Sequence, residues 1–151
     1  MIEKIETIRK TRNFLLDGIK DLTNEQLNTV LPGFNNNIVW NLGHLVASQQ
    51  GICYGRAGLK ICVPEDFFNS YKPGSKPGGK VSEQEVEKIK ELLFTSLDVF
   101  EQDYGKNLWP SYPVWITRSG VEINSIDKAI EFLHFHEGLH SGYILTMKRI
   151  V

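Results

Sequence analysis

Four apolar stripes, each recurring every three or four residues, limit what this chain can become more than any other feature. In the first, Ile5, Ile8, Leu15, Leu16, Ile19 and Leu22 share one helical face between Ile2 and Leu22. Thr23 and Gln26 then supply a capping box for a short helical turn that ends before Pro32. A second helix is predicted from about Ile38 to Arg56, capped by the asparagines of LPGFNNN and carrying Trp40, Leu42, Leu45, Val46 and Ile52. Ser82 and Glu85 open a third helix, whose stripe is Val86, Ile89, Leu93, Leu97 and Phe100. The fourth runs from beyond Ser125 nearly to the C-terminus. Two irregular segments interrupt the pattern: 58–81, rich in proline and glycine, and 104–124, with room only for a short hairpin at VWIT and VEI. Helices of about twenty residues joined by two long connecting loops predict an all-α four-helix bundle, a single domain over residues 1–151. The length of the second connection would let helices two and three lie parallel. Loops that long are candidates for the walls of a pocket.

With 151 residues the chain can bury a core without the help of a metal or a disulfide. Its 17 basic and 18 acidic side chains leave a net charge of -1, so it carries no electrostatic footprint for nucleic acid or an anionic membrane. No apolar run reaches membrane-spanning length, and MIEKIETIRK lacks the apolar core of a signal peptide, which predicts a cytoplasmic protein. In that reducing compartment Cys53 and Cys62 are expected as free thiols, with Cys53 buried.

All four histidines fall on two of the helices: His44 on the second, and His134, His136 and His140 on the fourth. The core stripe of the fourth helix reads Ile126, Ile130, Leu133, Glu137, His140, Ile144, Met147, so His140 stands where a leucine is expected. His136 lies one turn earlier on nearly the same face, because residues four apart differ by only about 40° around a helix. His134 is about 200° from His136 and should point elsewhere. The stretch HEGLH also spells the H-E-x-x-H of zinc proteases. Such proteases find a third ligand downstream, but the eleven residues after His140 contain no His, Asp, Glu or Cys. His44 supplies the missing ligand instead, from a polar stripe formed with Asn37, Asn41 and Ser48. Three neutral histidines would hold one divalent ion, zinc or nickel with iron or manganese as alternatives, and leave positions open for a small-molecule substrate.

NNIVWNLGHLVASQQ around His44 and HEGLHSGYILTMKRI around His136 and His140 resemble the DinB-like superfamily. The intervening EDFFNSYKPGSKP resembles the same segment in the DinB_2 branch, whose second helix reads W-x-x-G-H-L. The resemblance implies an up-down-down-up four-helix bundle, commonly a homodimer, with a divalent metal on His44, His136 and His140. Members it resembles include transferases or isomerases that use a low-molecular-weight thiol, hydrolases, and many with no known activity, so a thiol S-transferase or a hydrolase is the expected activity. The non-catalytic alternative is a metal-binding or stress-response protein.

Further candidates surround these histidines. Glu137 is a candidate catalytic residue, a carboxylate able to take a proton or to orient a ligating histidine. Asn41, one turn before His44, is a second, able to hydrogen-bond a ligand or water. Arg12 interrupts the first stripe and is expected to lay its stem along the core edge with its head in water. Trp40, Trp109, Trp115 and Tyr112 are expected to pack core and loops, the last three from a loop that could roof the metal. Gly138 and Gly142 suggest a neighbouring helix at close approach.

Overall fold

A computed structural model describes residues 2–151, with side chains from residue 3 onward. The chain is predominantly helical: α1 Ile2–Ile19, α2 Asn24–Asn28, α3 Ile38–Gln50, α4 Glu65–Tyr71, α5 Glu83–Gly105 and α6 Ile126–Met147. The predicted hairpin is present as β1 Trp115–Ile116 and β2 Glu122–Ile123, antiparallel, with Trp115 opposite Ile123. Helix starts follow the expected caps. Thr23 and Ser82 each form a full capping box, with Gln26 and Glu85, while the side chains of Asn37 and Ser125 accept from the amides of Trp40 and Lys128. No helix among the described residues is long and apolar enough to cross a membrane.

The elements depart from expectation in two places. The second helix ends its α-helical bonding at Gln50 and continues through a single π-turn, Gly51–Gly55, in which the Arg56 amide donates to Gly51 at 2.9 Å. At this helix end the carbonyls of Ile52 and Cys53 accept from the Tyr112 hydroxyl at 2.7 Å and the Trp109 indole at 2.6 Å. These bonds tie the 104–124 loop to the end of the helix, about two turns beyond His44, so Trp109 and Tyr112 do not roof the histidines. The second departure is α4, which sits inside the 58–81 loop and packs on α3. Pro64 precedes it, Glu65 and Asp66 fill its first turn, and Phe67, Phe68 and Tyr71 reach the core. Seven residues are too few for an apolar stripe to be read from sequence.

All of α3 is buried. It packs on α5 and α6, and α1 packs on the same two helices. The apolar core falls into two clusters, one around Leu15, Val46, Leu93 and Ile144, the other around Ile8, Ile52, Leu97 and Leu133. Between them lies a polar layer. Arg12 is 1% exposed and Glu137 2%, which overturns the expectation that the Arg12 head reaches water. The cause is the buried Glu137 carboxylate opposite it, which compensates the desolvated guanidinium. Gly138 and Gly142 are both exposed, and nothing lies within 4 Å of where a Cβ would be, so neither glycine serves close packing within the chain. Cys53 is buried and Cys62 exposed, both free.

Candidate metal centre

α3 and α6 bring His44, His136 and His140 together, with one ring nitrogen of each lying within 4.8 Å of the others. Their ring centroids are 5.1 Å apart for His44 and His136, 4.5 Å for His44 and His140, and 4.4 Å for His136 and His140. The i, i+4 spacing on α6 places two imidazoles on one face, and α3 delivers the third from across the interior. His134 stays out of the group: its nitrogens face the carbonyls of Ile130 and Lys4, both at 2.9 Å.

Hydrogen bonds decide which nitrogen each histidine offers. The Asn41 amide donates to Asn36 at 2.9 Å and to the Asn37 carbonyl at 2.8 Å, so its oxygen is left to accept from His140 Nδ1–H at 2.7 Å. His44 Nδ1–H donates to the Tyr71 carbonyl at 2.7 Å. Both rings therefore carry their proton on Nδ1 and keep the Nε2 lone pair for a ligand, the arrangement in which an acceptor behind the ring orients a metal-binding histidine. Ser48 Oγ donates to His44 Nε2 at 3.1 Å and can rotate away. His136 Nδ1 is buried without a hydrogen-bond partner, an orphaned donor atom in a place that polar groups seldom occupy unsatisfied. Three neutral imidazoles, two of them held in the ligating tautomer and one unsatisfied, fit a divalent cation.

Burial keeps the group neutral. It is the largest cause lowering His136 to about 3, helped by His140, His44 and Arg12, and it lowers His140 to about 4, helped by His44. His44 is also lowered by burial, against the raising effect of its bond to Tyr71. On His136 and His140 the unfolded chain binds protons from about pH 6.5 downward, whereas the folded chain refuses them until about pH 4. The ion-free protein is therefore expected to lose stability as pH falls from about 6.5 toward 4, by at most about 1.4 kcal/mol per pH unit for each histidine, and to show no such slope above pH 7. Urea unfolding at pH 7, 6 and 5 measures this directly.

The two other candidate residues, Asn41 and Glu137, lie beside the histidines and bond to partners within the chain. Asn41 is fully buried and its amide is taken up by His140, Asn36 and Asn37. Both oxygens of Glu137 accept from Arg12, at distances of 2.6 to 3.2 Å. Trp40 stacks on His44 with centroids 4.5 Å apart, and the Tyr143 ring, 43% exposed, lies 5.7 Å from that of His140.

Sequence reasoning missed the Tyr71 carbonyl, because a backbone acceptor leaves no signature in residue type. A partial signal was Gly43, a glycine inside a helix directly before His44. A Cβ there would come within 2.5 Å of the Tyr71 ring, including its first ring carbon, which cannot swing aside. Gly43→Ala is thus expected to push α4 off α3, costing about 1–3 kcal/mol and lowering Tm by roughly 2–4 °C per kcal/mol in calorimetry. Loss of the bond from His44 would appear as a shift of its Nδ1 resonance.

No curated protein gives a significant match to the chain. The family model described as DinB superfamily matches residues 7–144, a span that contains all three clustered histidines. A match over most of the sequence, with the paired motifs on α3 and α6 inside it, means that the chain belongs to the DinB superfamily.

Proposed function

We propose that the chain is a metal-dependent enzyme in which His44, His136 and His140 hold one divalent ion, zinc or nickel first, and act on a small-molecule electrophile. The observation that carries this reading is the three-histidine group, largely removed from water, with His140 and His44 pre-set by Asn41 and Tyr71 to present Nε2 atoms. Three protein ligands leave coordination open, as a catalytic site requires and a closed structural site does not. When bound, the ion supplies Lewis acidity toward a low-molecular-weight thiol or water, giving thiol S-transfer or hydrolysis. The chain's own residues orient and exclude: Asn41 and the Tyr71 carbonyl fix two rings, Trp40 shields one face of His44, and Tyr143 stands at the exposed rim. The Arg12 guanidinium occupies both oxygens of Glu137, which supports a positioning role for that carboxylate over proton transfer. The alternative is a metal-binding or stress-response protein without turnover.

The packing of α1 and α3 each against α5 and α6 supports a four-helix bundle in one domain. Arg9 bonds Asp98 and Glu101 while Arg12 bonds the earlier Leu93 carbonyl, and Lys4 bonds Glu131 while Arg12 bonds Glu137, which supports α1 antiparallel to α5 and parallel to α6, the up-down-down-up course. On α6 the exposed Phe135 and Leu139 lie beside the open Gly138 and Gly142, a smooth apolar strip that supports a homodimer through this helix. The near-neutral charge supports neither nucleic acid nor membrane as a partner, and we place the protein in the cytoplasm.

The test uses protein purified without tag or chelator. Metal analysis should find close to one divalent ion per chain, and the cobalt-loaded protein should change its visible spectrum on addition of a small thiol, because an open position is filled. Cobalt bands indifferent to thiols and other small ligands would favour the non-catalytic alternative. A chain that takes up no zinc, nickel, iron or manganese would sink both forms of the metal reading.

A further inference from the structure

Arg12 donates to three other helices at once. Its guanidinium reaches the Leu93 carbonyl on α5 at 2.6 Å, the Leu45 carbonyl on α3 at 3.3 Å, and the Glu137 carboxylate on α6 at 2.6 Å, from a position on α1 that is 1% exposed. Leu45 is the residue after His44, and Glu137 is the residue after His136. One buried side chain thus bonds to the immediate neighbours of a histidine on each side of the cluster. The backbone carbonyls of Leu45 and Leu93 lie inside α3 and α5, where each also accepts its own helix's amide on the other lone pair. The bonds from Arg12 are additional to what those helices need, so helix formation does not explain them.

Apolar packing leaves the axial position of a helix weakly specified, since one leucine knob fits several neighbouring holes. A buried charged group that must meet three fixed acceptors does not slide, because any shift leaves a desolvated charge unpaired. Specification of register is the best-attested use of buried polar groups. In this molecule the register that matters sets α3 against α6, since a slip of one residue there moves a histidine by about 1.5 Å along the axis and 100° around it.

We propose that Arg12 and Glu137 form a positioning pair for the metal centre, locking α3 against α6 so that His44 meets His136 and His140. This inference rests on the metal reading and assigns the pair no contact with metal or substrate.

The experiment measures zinc affinity by chelator competition, and cobalt absorption bands, in wild type, Arg12→Met/Glu137→Met and Leu97→Ala. All are compared at a temperature where circular dichroism shows them folded. The double variant replaces the pair with unbranched apolar side chains, a change that buried ion pairs commonly tolerate without unfolding. It should bind zinc at least about tenfold more weakly, the low end for groups that orient metal ligands, with cobalt bands shifted or broadened. Leu97→Ala, which opens a cavity in the other cluster, controls for general loosening and should keep wild-type affinity and bands. Wild-type affinity in the double variant, or an equal loss in Leu97→Ala, would overturn the proposal. A wild type that binds neither zinc nor cobalt would instead overturn the metal reading, and the proposal with it. If the double variant does not fold, Arg12→Lys takes its place: it keeps the charge, but one ammonium cannot reach acceptors on three helices. That variant should weaken zinc by about threefold or more, short of the full effect, and unchanged affinity in it would overturn the positioning role.

Discussion

His140→Ala is expected to weaken zinc binding by at least about a hundredfold, while His134→Ala, less than two turns earlier on the same helix, leaves it unchanged. Zinc sites with four protein ligands have apparent binding energies of about 10–16 kcal/mol, roughly 3 kcal/mol for each ligand, which is the origin of the factor of a hundred. His140 is the most informative of the three to remove. Its Nδ1 is already committed to Asn41 at 2.7 Å, so only Nε2 is available to a metal, and among the described residues no further His, Cys, Asp or Glu joins the group. His134 shares the helix and the residue type but faces the carbonyls of Ile130 and Lys4. Isothermal titration calorimetry on both variants separates coordination from any effect of losing an imidazole on α6. Equal affinities in the two variants would mean that the cluster does not bind zinc through His140.

Removing either half of the buried ion pair alone should be far more damaging than removing both. Arg12→Ala leaves the Glu137 carboxylate desolvated and unpaired, and Glu137→Ala does the same to the guanidinium, at about 3–5 kcal/mol each. At roughly 2–4 °C per kcal/mol for a domain of this size, Tm should fall by about 6–20 °C in each single variant. In Arg12→Met/Glu137→Met no charge remains to be stranded, and most of the loss should be recovered. Urea unfolding of the four species gives a coupling energy in a double-mutant cycle. A double variant as unstable as the two single effects added together would show that the pair acts through packing volume and not through charge.

Much of the architecture was legible because helical periodicity and capping chemistry are local. Thr23, Asn37, Ser82 and Ser125 mark helix starts by residue type alone, and all four perform as caps. The histidine group was legible for a related reason: His136 and His140 occupy one face by spacing, and His44 was the remaining histidine on a polar stripe. What stayed hidden depends on partners distant in sequence. Arg12 looked like a surface residue with a buried stem because nothing near it on α1 could neutralise it, and its counter-ion lies 125 residues away. For the same reason the pairing of Glu137 with Arg12 could not be read from the residues beside His136. The 58–81 loop was identified as a candidate pocket wall, but its contribution is a backbone carbonyl, that of Tyr71, and main-chain atoms are the same in every sequence.

The bond between Asn41 and His140 joins residues 99 apart in the chain, and the neighbouring histidines span nearly the same distance. An ion held by His44 and His140 would therefore act as a cross-link closing about two thirds of the polypeptide into a loop. By chain-entropy arguments a tie across about 100 residues restricts the unfolded ensemble by about 4–5 kcal/mol, the scale of a disulfide over the same loop. Neither cysteine is used for such a bond. The coordination site would then be a reversible staple that needs no oxidising surroundings, and the supply of free metal would set how long each copy of the chain survives unfolding and proteolysis.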